Sequence, residues 1–147
     1  MSPDVVTDSE WTRPIPRPDA VSAAYWEAAA RGELLIQECK SCGHRQFYPR
    51  AVCTDCGGDV DWLTCSGRGT VHTFTVIRQN HAKPFKDELP YVVAIVELEE
   101  GPRMMSNLVG IEPDPKRIAC DMPVEIVFEK LTDEITLPLF KPAGGAR

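Results

Sequence analysis

Four of the six cysteines lie close together, in the stretch CKSCGHRQFYPRAVCTDCGG at residues 39–58. They form two pairs, Cys39 with Cys42 and Cys53 with Cys56, and two residues separate the members of each pair. This spacing lets a tight turn direct both sulfur atoms toward one point, and two such turns complete a tetrahedron. A glycine after the second cysteine of each pair supplies the backbone freedom for the turn. The pattern predicts a zinc ion bound by four thiolates.

Disulfide bonds and redox exchange are the other common uses of paired cysteines. The N-terminal stretch is acidic and rich in proline, unlike a signal or transit peptide, so we expect a cytoplasmic protein with reduced thiols. No βαβ pattern surrounds either pair, which disfavours a thioredoxin-like site. Soft thiolates favour zinc, and four protein ligands leave no position open for water or substrate. We therefore expect the zinc to be structural.

The remaining reactive side chains do not form a recognisable catalytic set. His44 lies beside the first cysteine pair, and His72 and His81 follow later in the chain. The sequence contains no GxSxG, Walker or HExxH motif. Cys65 and Cys120 lie outside the two pairs, and we expect them to be buried thiols. The sequence therefore predicts no catalytic residue.

The charge of the chain argues against polyanionic partners. The formal net charge is −6 and the isoelectric point is near 5.1, whereas binding to nucleic acid or to an anionic membrane needs a cationic surface. No apolar run approaches the roughly 20 residues that span a bilayer. We therefore expect no nucleic acid and no membrane as a partner. The middle of the chain is less acidic than its ends, so an anionic ligand should bind there.

The cysteine pairs must be positioned by the elements around them. Residues 1–18 contain four prolines and are predicted to form an extended arm. Asp19 is a good N-cap for a helix over residues 20–31, and Gly32 is placed to end that helix. The segment ELLIQE at 33–38 is predicted to be a short strand that leads into the first cysteine pair.

After the second cysteine pair the sequence is typical of an all-β domain. Turn signals separate five segments with strand-like patterns, at 70–79, 91–98, 103–110, 122–131 and 135–140. Five strands with an irregular connection before the fourth favour a small Greek-key barrel of the OB type. The prediction is a mainly β protein with an N-terminal arm at 1–18, a helix plus rubredoxin-like zinc ribbon at 19–64, a five-stranded OB-fold barrel at 65–142 and a flexible tail at 143–147.

Several motifs follow one another in an order that is specific to a known family. They are SGRGTVHTFTVI at 66–77, PYVVAIVELEEG at 90–101, MPVEIVFE at 122–129 and PLFKPA at 138–143. With the preceding helix and cysteine pairs, the chain resembles the zinc-ribbon/OB-fold acyl-CoA-associated proteins over about residues 19–142. One departure is Asp121, because the family pattern has a glycine directly before the methionine.

The resemblance implies an accessory subunit of a thiolase-superfamily enzyme. The partners of such subunits include thiolases, condensing enzymes and thiolase-like aldolases that act on steroid side-chain CoA esters. The resemblance also implies that the helix and ribbon dock the partner, with two copies of each chain, and that the barrel helps to bind the acyl-CoA thioester. The candidates for contact with the partner are Tyr25, Trp26, Leu34 and Leu35. The candidates for binding the CoA phosphates are Arg50, Arg68, Arg78, Lys83 and Lys86.

The reaction of the whole complex is open at this level. Its most concrete form is a retro-aldol lyase that removes a steroid or similar side chain, with the catalytic residues on the partner. A subunit of an acyl-CoA thiolase or condensing enzyme would carry the same motifs. Two other classes are a single-stranded nucleic-acid module, which needs a basic groove with stacking aromatic residues, and a free-standing acyl-CoA carrier or hydrolase. A hydrolase needs a nucleophile or an activated water.

Overall fold

The computed structural model of the chain describes residues 13–144. Its elements in chain order are α1 (Ala23–Ala30), β1 (Leu35–Cys39), β2 (Arg45–Gln46), β3 (Val60–Thr64), β4 (Arg68–Ile77), α2 (Lys83–Lys86), β5 (Tyr91–Leu98), β6 (Arg103–Leu108), β7 (Pro123–Lys130) and β8 (Thr136–Pro142). Most of the predicted arm and the end of the predicted tail lie outside the described residues. No helix within residues 13–144 is both long enough and apolar enough to cross a membrane.

Helix α1 is shorter than predicted, because residues 20–22 form a turn ahead of it. In this turn the Asp19 carboxylate accepts hydrogen bonds of 2.8 Å from both the hydroxyl and the backbone N–H of Ser22. These two bonds, from the hydroxyl first, lower the pKa of the Asp19 carboxyl. Gly32 follows the helix at φ 83°, which is left-handed backbone that glycine adopts without steric cost. The predicted stop residue, Gly32, thus ends the helix, whereas the N-cap is Ser22 and not the predicted Asp19, whose carboxylate instead stabilises the turn ahead of the helix.

Three short strands form the sheet of the ribbon, and β1 lies between β2 and β3. β1 pairs antiparallel with β3 from Leu35 opposite Thr64 to Cys39 opposite Val60. The predicted strand at 33–38 corresponds to β1. The sequence pattern does not indicate β2 or β3, because two residues are too few to show a period and β3 does not alternate.

The other five strands close into a barrel in the order β4-β5-β6-β8-β7, and β7 pairs back with β4. All five predicted barrel strands are present, with small differences at their ends. β6 and β8 are parallel and are joined by one residue pair, Leu108 with Phe140. A small five-stranded barrel with this strand order is an OB fold. The predicted fold, a mainly β protein with an N-terminal helix, a zinc ribbon and a five-stranded barrel, is confirmed.

The loop before β7 explains the one departure from the family pattern. Asp121 has a φ of 71°, and its backbone N–H donates a hydrogen bond of 2.6 Å to the carbonyl of Val71. Glycine adopts this conformation freely, and aspartate is among the few other residues that tolerate it. Asp121 therefore keeps the loop geometry that a glycine would allow.

The helix, the ribbon and the barrel share one hydrophobic core. Phe140 of β8 is fully buried, and Tyr25 of α1 and Leu34 before β1 belong to the same cluster. Gly69 of the SGRGT motif lets β4 approach β5 closely, because a Cβ atom there would lie 2.5 Å from the carbonyl oxygen of Glu97. The shared core holds the ribbon and helix against one side of the barrel.

Candidate functional site

The two cysteine pairs form two turns with the same hydrogen-bond pattern. The N–H of Gly43 donates to the carbonyl of Cys39 at 3.1 Å, and the N–H of Gly57 donates to the carbonyl of Cys53 at 3.0 Å. Both glycines have a positive φ, of 78° and 79°. Side chains are rarely tolerated in this conformation, so the glycines close the two turns as the sequence predicts.

The four cysteine sulfur atoms lie within 4.8 Å of one another. The Sγ–Sγ distance is 3.5 Å between Cys39 and Cys56 and 3.8 Å between Cys42 and Cys53. Four zinc–sulfur bonds of about 2.3 Å at tetrahedral angles place the sulfur atoms about 3.8 Å apart. The donor atoms and their geometry therefore fit one zinc ion held by these four residues.

Backbone N–H groups stabilise the thiolates of this cage. The Sγ atom of Cys39 accepts hydrogen bonds from the N–H of Cys42 at 3.4 Å and from the N–H of Ser41 at 3.3 Å. The bond from Cys42 is the main reason that the pKa of the Cys39 thiol falls to about 6. The second pair repeats this arrangement around Cys53. Because all four zinc positions are filled by protein, the metal has a structural role.

A groove of about 640 Å³ is lined by helix α1 and the turn before it, by the ribbon loop at 47–51, and by strands β6 and β8. The two strands share a single residue pair, and residues 104–107 and 137–139 form the barrel side of the groove. Within it, the hydroxyl of Ser106 donates a hydrogen bond of 2.9 Å to the carbonyl of Pro138, and Pro138 has no backbone N–H to donate in return. Strand pairing at this seam of the barrel, between β6 and β8, is thus limited to one residue pair.

Aromatic side chains of the helix and the ribbon cover the seam. The ring centroid of Tyr25 lies 4.9 Å from that of Trp26 and 5.5 Å from that of Phe47, and the Phe47 and Tyr48 centroids are 4.2 Å apart. The hydroxyl of Tyr48 accepts a hydrogen bond of 3.3 Å from the backbone N–H of Met105 in β6. Burial is the main reason that the pKa of Tyr25 is raised above its ordinary value. The groove is therefore built by all three parts of the chain together.

Two buried glutamines hold the ribbon loop that borders this groove. The amide nitrogen of Gln37 donates to the carbonyl of Arg50 at 2.9 Å. The amide oxygen of Gln37 accepts hydrogen bonds of 2.8 Å from the N–H of Arg50 and from the amide of Gln46. Gln46 in turn bonds to Val52 and Thr54. Sequence reasoning missed this network, although a glutamine within the apolar run LLIQEC was a signal for it.

Two family models match the chain in sequence order. The ChsH2 rubredoxin-like zinc ribbon domain matches residues 26–61, and the ChsH2 C-terminal OB-fold domain matches residues 62–129. A DUF35 domain-containing scaffold protein of Methanothermobacter thermautotrophicus is 42% identical over 106 residues, which cover 71% of this chain and 77% of that protein. The chain belongs to the ChsH2/DUF35 family. The predicted resemblance and the structural zinc site are thereby confirmed.

Two further comparisons show that this ChsH2/DUF35 chain is similar to proteins that are named as parts of enzymes. A chain of the solved structure described as the Ltp2-ChsH2(DUF35) aldolase superposes with a TM-score of 0.77 at 38% identity, covering 88% of this chain and 99% of that chain. A probable enoyl-CoA hydratase alpha subunit of Thermomonospora curvata is 40% identical over 131 residues, which is 89% of this chain. The chain spans 40% of the length of that hydratase subunit.

The predicted partner contacts of this family member are mostly buried in the isolated chain. Leu34 and Leu35 pack within the chain and present almost no side-chain surface to another protein. Tyr25 is also buried, but its ring lines the groove. Trp26 lines the groove as well and is only half-buried. Of the four candidates, Trp26 has the most surface left for contact.

The predicted CoA-binding residues separate into three groups. Arg68 forms two hydrogen bonds of 3.1 Å with the carboxylate of Glu99, which lower the pKa of Glu99 and occupy the guanidinium. Arg50 lies in the ribbon loop beside the groove. The other three, Arg78, Lys83 and Lys86, lie together on the connection between β4 and β5. Within residues 13–144 none of these last three forms an ion pair with a carboxylate.

The β4–β5 connection also carries an aromatic pair. The ring centroids of Phe85 and Tyr91 are 6.1 Å apart, and the side-chain amide of Asn80 donates a hydrogen bond of 2.9 Å to the Tyr91 hydroxyl. Helix α2, which the sequence pattern does not indicate, holds Phe85 and begins with Pro84 in its first turn. Cations and an aromatic ring therefore lie on the same connection. Asp87 and Glu88, directly after Lys86, add two negative charges to it.

Within residues 13–144 the histidines and the two remaining cysteines belong to no group of three or more side chains that could hold a metal ion. The Nε2 atom of His44 is 3.3 Å from the hydroxyl of Thr54, whereas His72 and His81 are exposed. Cys65 is half-buried, and burial, reinforced by the nearby carboxylate of Glu100, raises the pKa of its thiol to about 12. Cys120 is exposed, so its prediction as a buried thiol is wrong. It lies in the loop before β7.

Proposed function

We propose that the chain is a non-catalytic accessory subunit that docks on a thiolase-fold partner and contributes to acyl-CoA binding. One observation carries the proposal. The chain superposes on 99% of a subunit-sized chain from the Ltp2-ChsH2(DUF35) aldolase, at 38% identity. A close match over a whole chain favours a similar role more strongly than a shared fold alone does. The copy number that we propose is two of each subunit.

The chemistry of the zinc site supports the non-catalytic part of this proposal. Four thiolates fill the coordination sphere, so the zinc neither activates water nor polarises a carbonyl. The cage instead fixes the ribbon, and the ribbon supports the aromatic cover of the groove. We therefore assign the catalytic groups to the partner.

The β4–β5 connection is the part of the barrel that we propose for CoA. Arg78, Lys83 and Lys86 present cationic groups that the phosphates of CoA would bind. The neighbouring ring of Tyr91 offers a surface on which a nucleotide base stacks, whereas the Arg13 guanidinium already lies over the Phe85 ring, 5.7 Å from its centroid. Arg68 is a weaker candidate because Glu99 already occupies its guanidinium.

The most concrete reaction for the complex is retro-aldol cleavage of a β-hydroxyacyl-CoA. A base on the partner takes the hydroxyl proton, the bond between the α and β carbons breaks, and the electron pair moves to the α carbon. The α carbon is then protonated, which gives a shorter acyl-CoA, and the β carbon leaves as a ketone or aldehyde. No oxidant is needed. The family resemblance favours a steroid or similar side chain as the substrate.

Co-expression tests the proposal. The chain is produced with the thiolase-fold protein encoded nearest to it, and the mass of the purified complex is measured by light scattering. We expect a stable complex with two copies of each subunit, and turnover of a β-hydroxyacyl-CoA that needs both subunits. Release of a ketone or aldehyde identifies an aldolase, whereas CoA-dependent cleavage of a β-ketoacyl-CoA identifies a thiolase.

Two results would contradict the proposal. A chain that is folded and zinc-loaded but stays alone has no thiolase-fold partner of this kind. Turnover by the isolated chain would place catalytic groups on it. If the chain does not bind the partner but binds a single-stranded oligonucleotide in a salt-sensitive way, the result would instead support the nucleic-acid alternative.

A further inference from the structure

The groove that is lined by α1, the ribbon loop, β6 and β8 exposes large apolar side chains. Tyr48 and Met105, on opposite sides of the groove, are 44% and 54% exposed. They are two of the three large hydrophobic residues that are exposed within residues 13–144. Contiguous exposed apolar surface of this kind marks binding sites. Tyrosine, tryptophan, methionine and arginine are also the residues enriched at protein interfaces.

Two charged residues line this groove, and one of them, Asp19, has a carboxylate that already accepts two hydrogen bonds from Ser22. The other is a cation, Arg50. Arg50 is exposed and lines the groove, and within residues 13–144 it forms no ion pair with a carboxylate. One of its guanidinium nitrogens donates only to the carbonyl of Pro49, at 3.0 Å. An unpaired guanidinium beside an apolar groove is complementary to a carboxylate that arrives with apolar neighbours.

The position of Arg50 is fixed from inside the ribbon. Gln37 is buried, at 3% exposure, and bonds to both the N–H and the carbonyl of Arg50. A buried amide that holds both backbone groups of an exposed residue restricts where its side chain can reach. Such preorganisation lowers the entropic cost of binding. The cation is therefore presented at the groove before any partner arrives.

We propose that this groove binds a segment of the partner subunit that packs apolar side chains against Tyr48 and Met105 and places a carboxylate on Arg50. The inference rests on the proposed function, which supplies the partner. It assigns Arg50 to protein docking and leaves Arg78, Lys83 and Lys86 as the candidates for CoA. Trp26 forms the helix side of the same contact.

Substitutions in the full complex test the groove. Arg50→Glu reverses the charge that faces the carboxylate, and Met105→Asp puts a second carboxylate into the apolar part. We expect each to raise the Kd between the subunits by about tenfold or more. Arg50→Lys keeps the positive charge and should raise the Kd less than Arg50→Glu does. Thr75→Glu, on the exposed face of β4, is the control that should leave the Kd unchanged.

Cross-linking identifies the occupant directly. A photoreactive phenylalanine derivative replaces Met105 in the full chain, the complex is irradiated, and mass spectrometry locates the cross-linked peptide. We expect a partner peptide that contains an aspartate or glutamate beside apolar residues, and a lysine in place of that acidic residue should restore binding to Arg50→Glu. The same derivative at Thr75 should give no partner peptide.

The outcomes separate this inference from the proposed function. If the wild-type subunits assemble and the groove variants assemble equally well, the groove is not the docking site, while the accessory-subunit role stands. Cross-links only to a second copy of this chain would overturn the inference in the same way. If the wild-type subunits do not assemble, the proposed function fails and the inference fails with it. Zinc content and the urea midpoint of each variant show whether it is folded.

Discussion

Replacement of Gln37 by leucine tests the buried network that holds the ribbon loop. The substitution keeps the approximate size of the side chain and removes an amide that forms three hydrogen bonds. It leaves the amide nitrogen of Gln46 with one of its two bonds, to the carbonyl of Val52. It also leaves both backbone groups of Arg50 without a protein partner.

The magnitude follows from where these groups lie. Gln46 is buried, at 6% exposure, so its lost bond should cost about 1–3 kcal/mol, whereas the backbone groups of the exposed Arg50 can regain water at about 0.5–1.5 kcal/mol each. Burial of a leucine side chain offsets part of this by about 1.5–3 kcal/mol. We expect a net loss of about 2 kcal/mol in the free energy of unfolding. At an m-value of about 2 kcal/mol per molar urea, the midpoint falls by about 1 M.

The assay is urea unfolding of the zinc-loaded chain, followed by tryptophan fluorescence. Gln79→Leu makes the same chemical change at an exposed position and should shift the midpoint little. Zinc content should stay the same in both variants, because Gln37 is not a metal ligand. Equal midpoints for Gln37→Leu and Gln79→Leu would refute the reasoning, since the network would then contribute nothing to stability.

Three other predictions follow from the barrel, the cage and Cys65. Gly69→Ala should lower the thermal midpoint by overpacking β4 against β5, at a cost of about 1–3 kcal/mol that outweighs the gain of about 0.4–1 kcal/mol from a stiffer unfolded chain. A midpoint that rises would show that the strands separate easily. Removal of zinc by a chelator should unfold the ribbon and expose the groove aromatics to quenchers, and added zinc should reverse both changes; an unchanged quenching constant would contradict this. The Cys65 thiol has a pKa of about 12 in the folded chain and of 9.0 in the unfolded chain. The free energy of unfolding should therefore decline as the pH rises above about 9, because only the unfolded chain then loses this proton. Cys65→Ala should reduce that decline, and an identical pH profile would exclude the thiol as its cause.

Much of the fold and the metal site could be predicted because the signals are local. Two residues between cysteines, followed by glycine, predict a sulfur-directing turn from chain geometry alone, and the structure has that turn at Gly43 and Gly57. Alternating patterns predict the five barrel strands, because side chains on a strand face opposite sides in turn. Gly32 ends the helix through a backbone angle that involves only near neighbours, whereas the N-cap lies three residues after the predicted Asp19, at Ser22.

The predictions about binding surfaces were less complete, because surfaces depend on contacts between distant segments. Leu34 and Leu35 look like contact candidates in the sequence, but Leu34 is buried in the core that the ribbon shares with the barrel, and Leu35 is also buried within the chain. The five basic residues look alike in the sequence, whereas the hairpin after β5 gives Arg68 a carboxylate partner and leaves Arg78 unpaired within the described part of the chain. The sequence shows the sign of each charged residue but not which residues lie next to it in the fold.

The sequence by itself determined the zinc ligands' spacing, the order of the elements and membership of the family, since each depends on residues that are adjacent or regularly spaced. Only the tertiary structure decided where the groove lies and what surrounds it. β6 and β8 pair at a single position, and Tyr48 from the ribbon bonds across to Met105, 57 residues farther along the chain. No local pattern encodes such a groove, because it arises from the packing of helix, ribbon and barrel against one another.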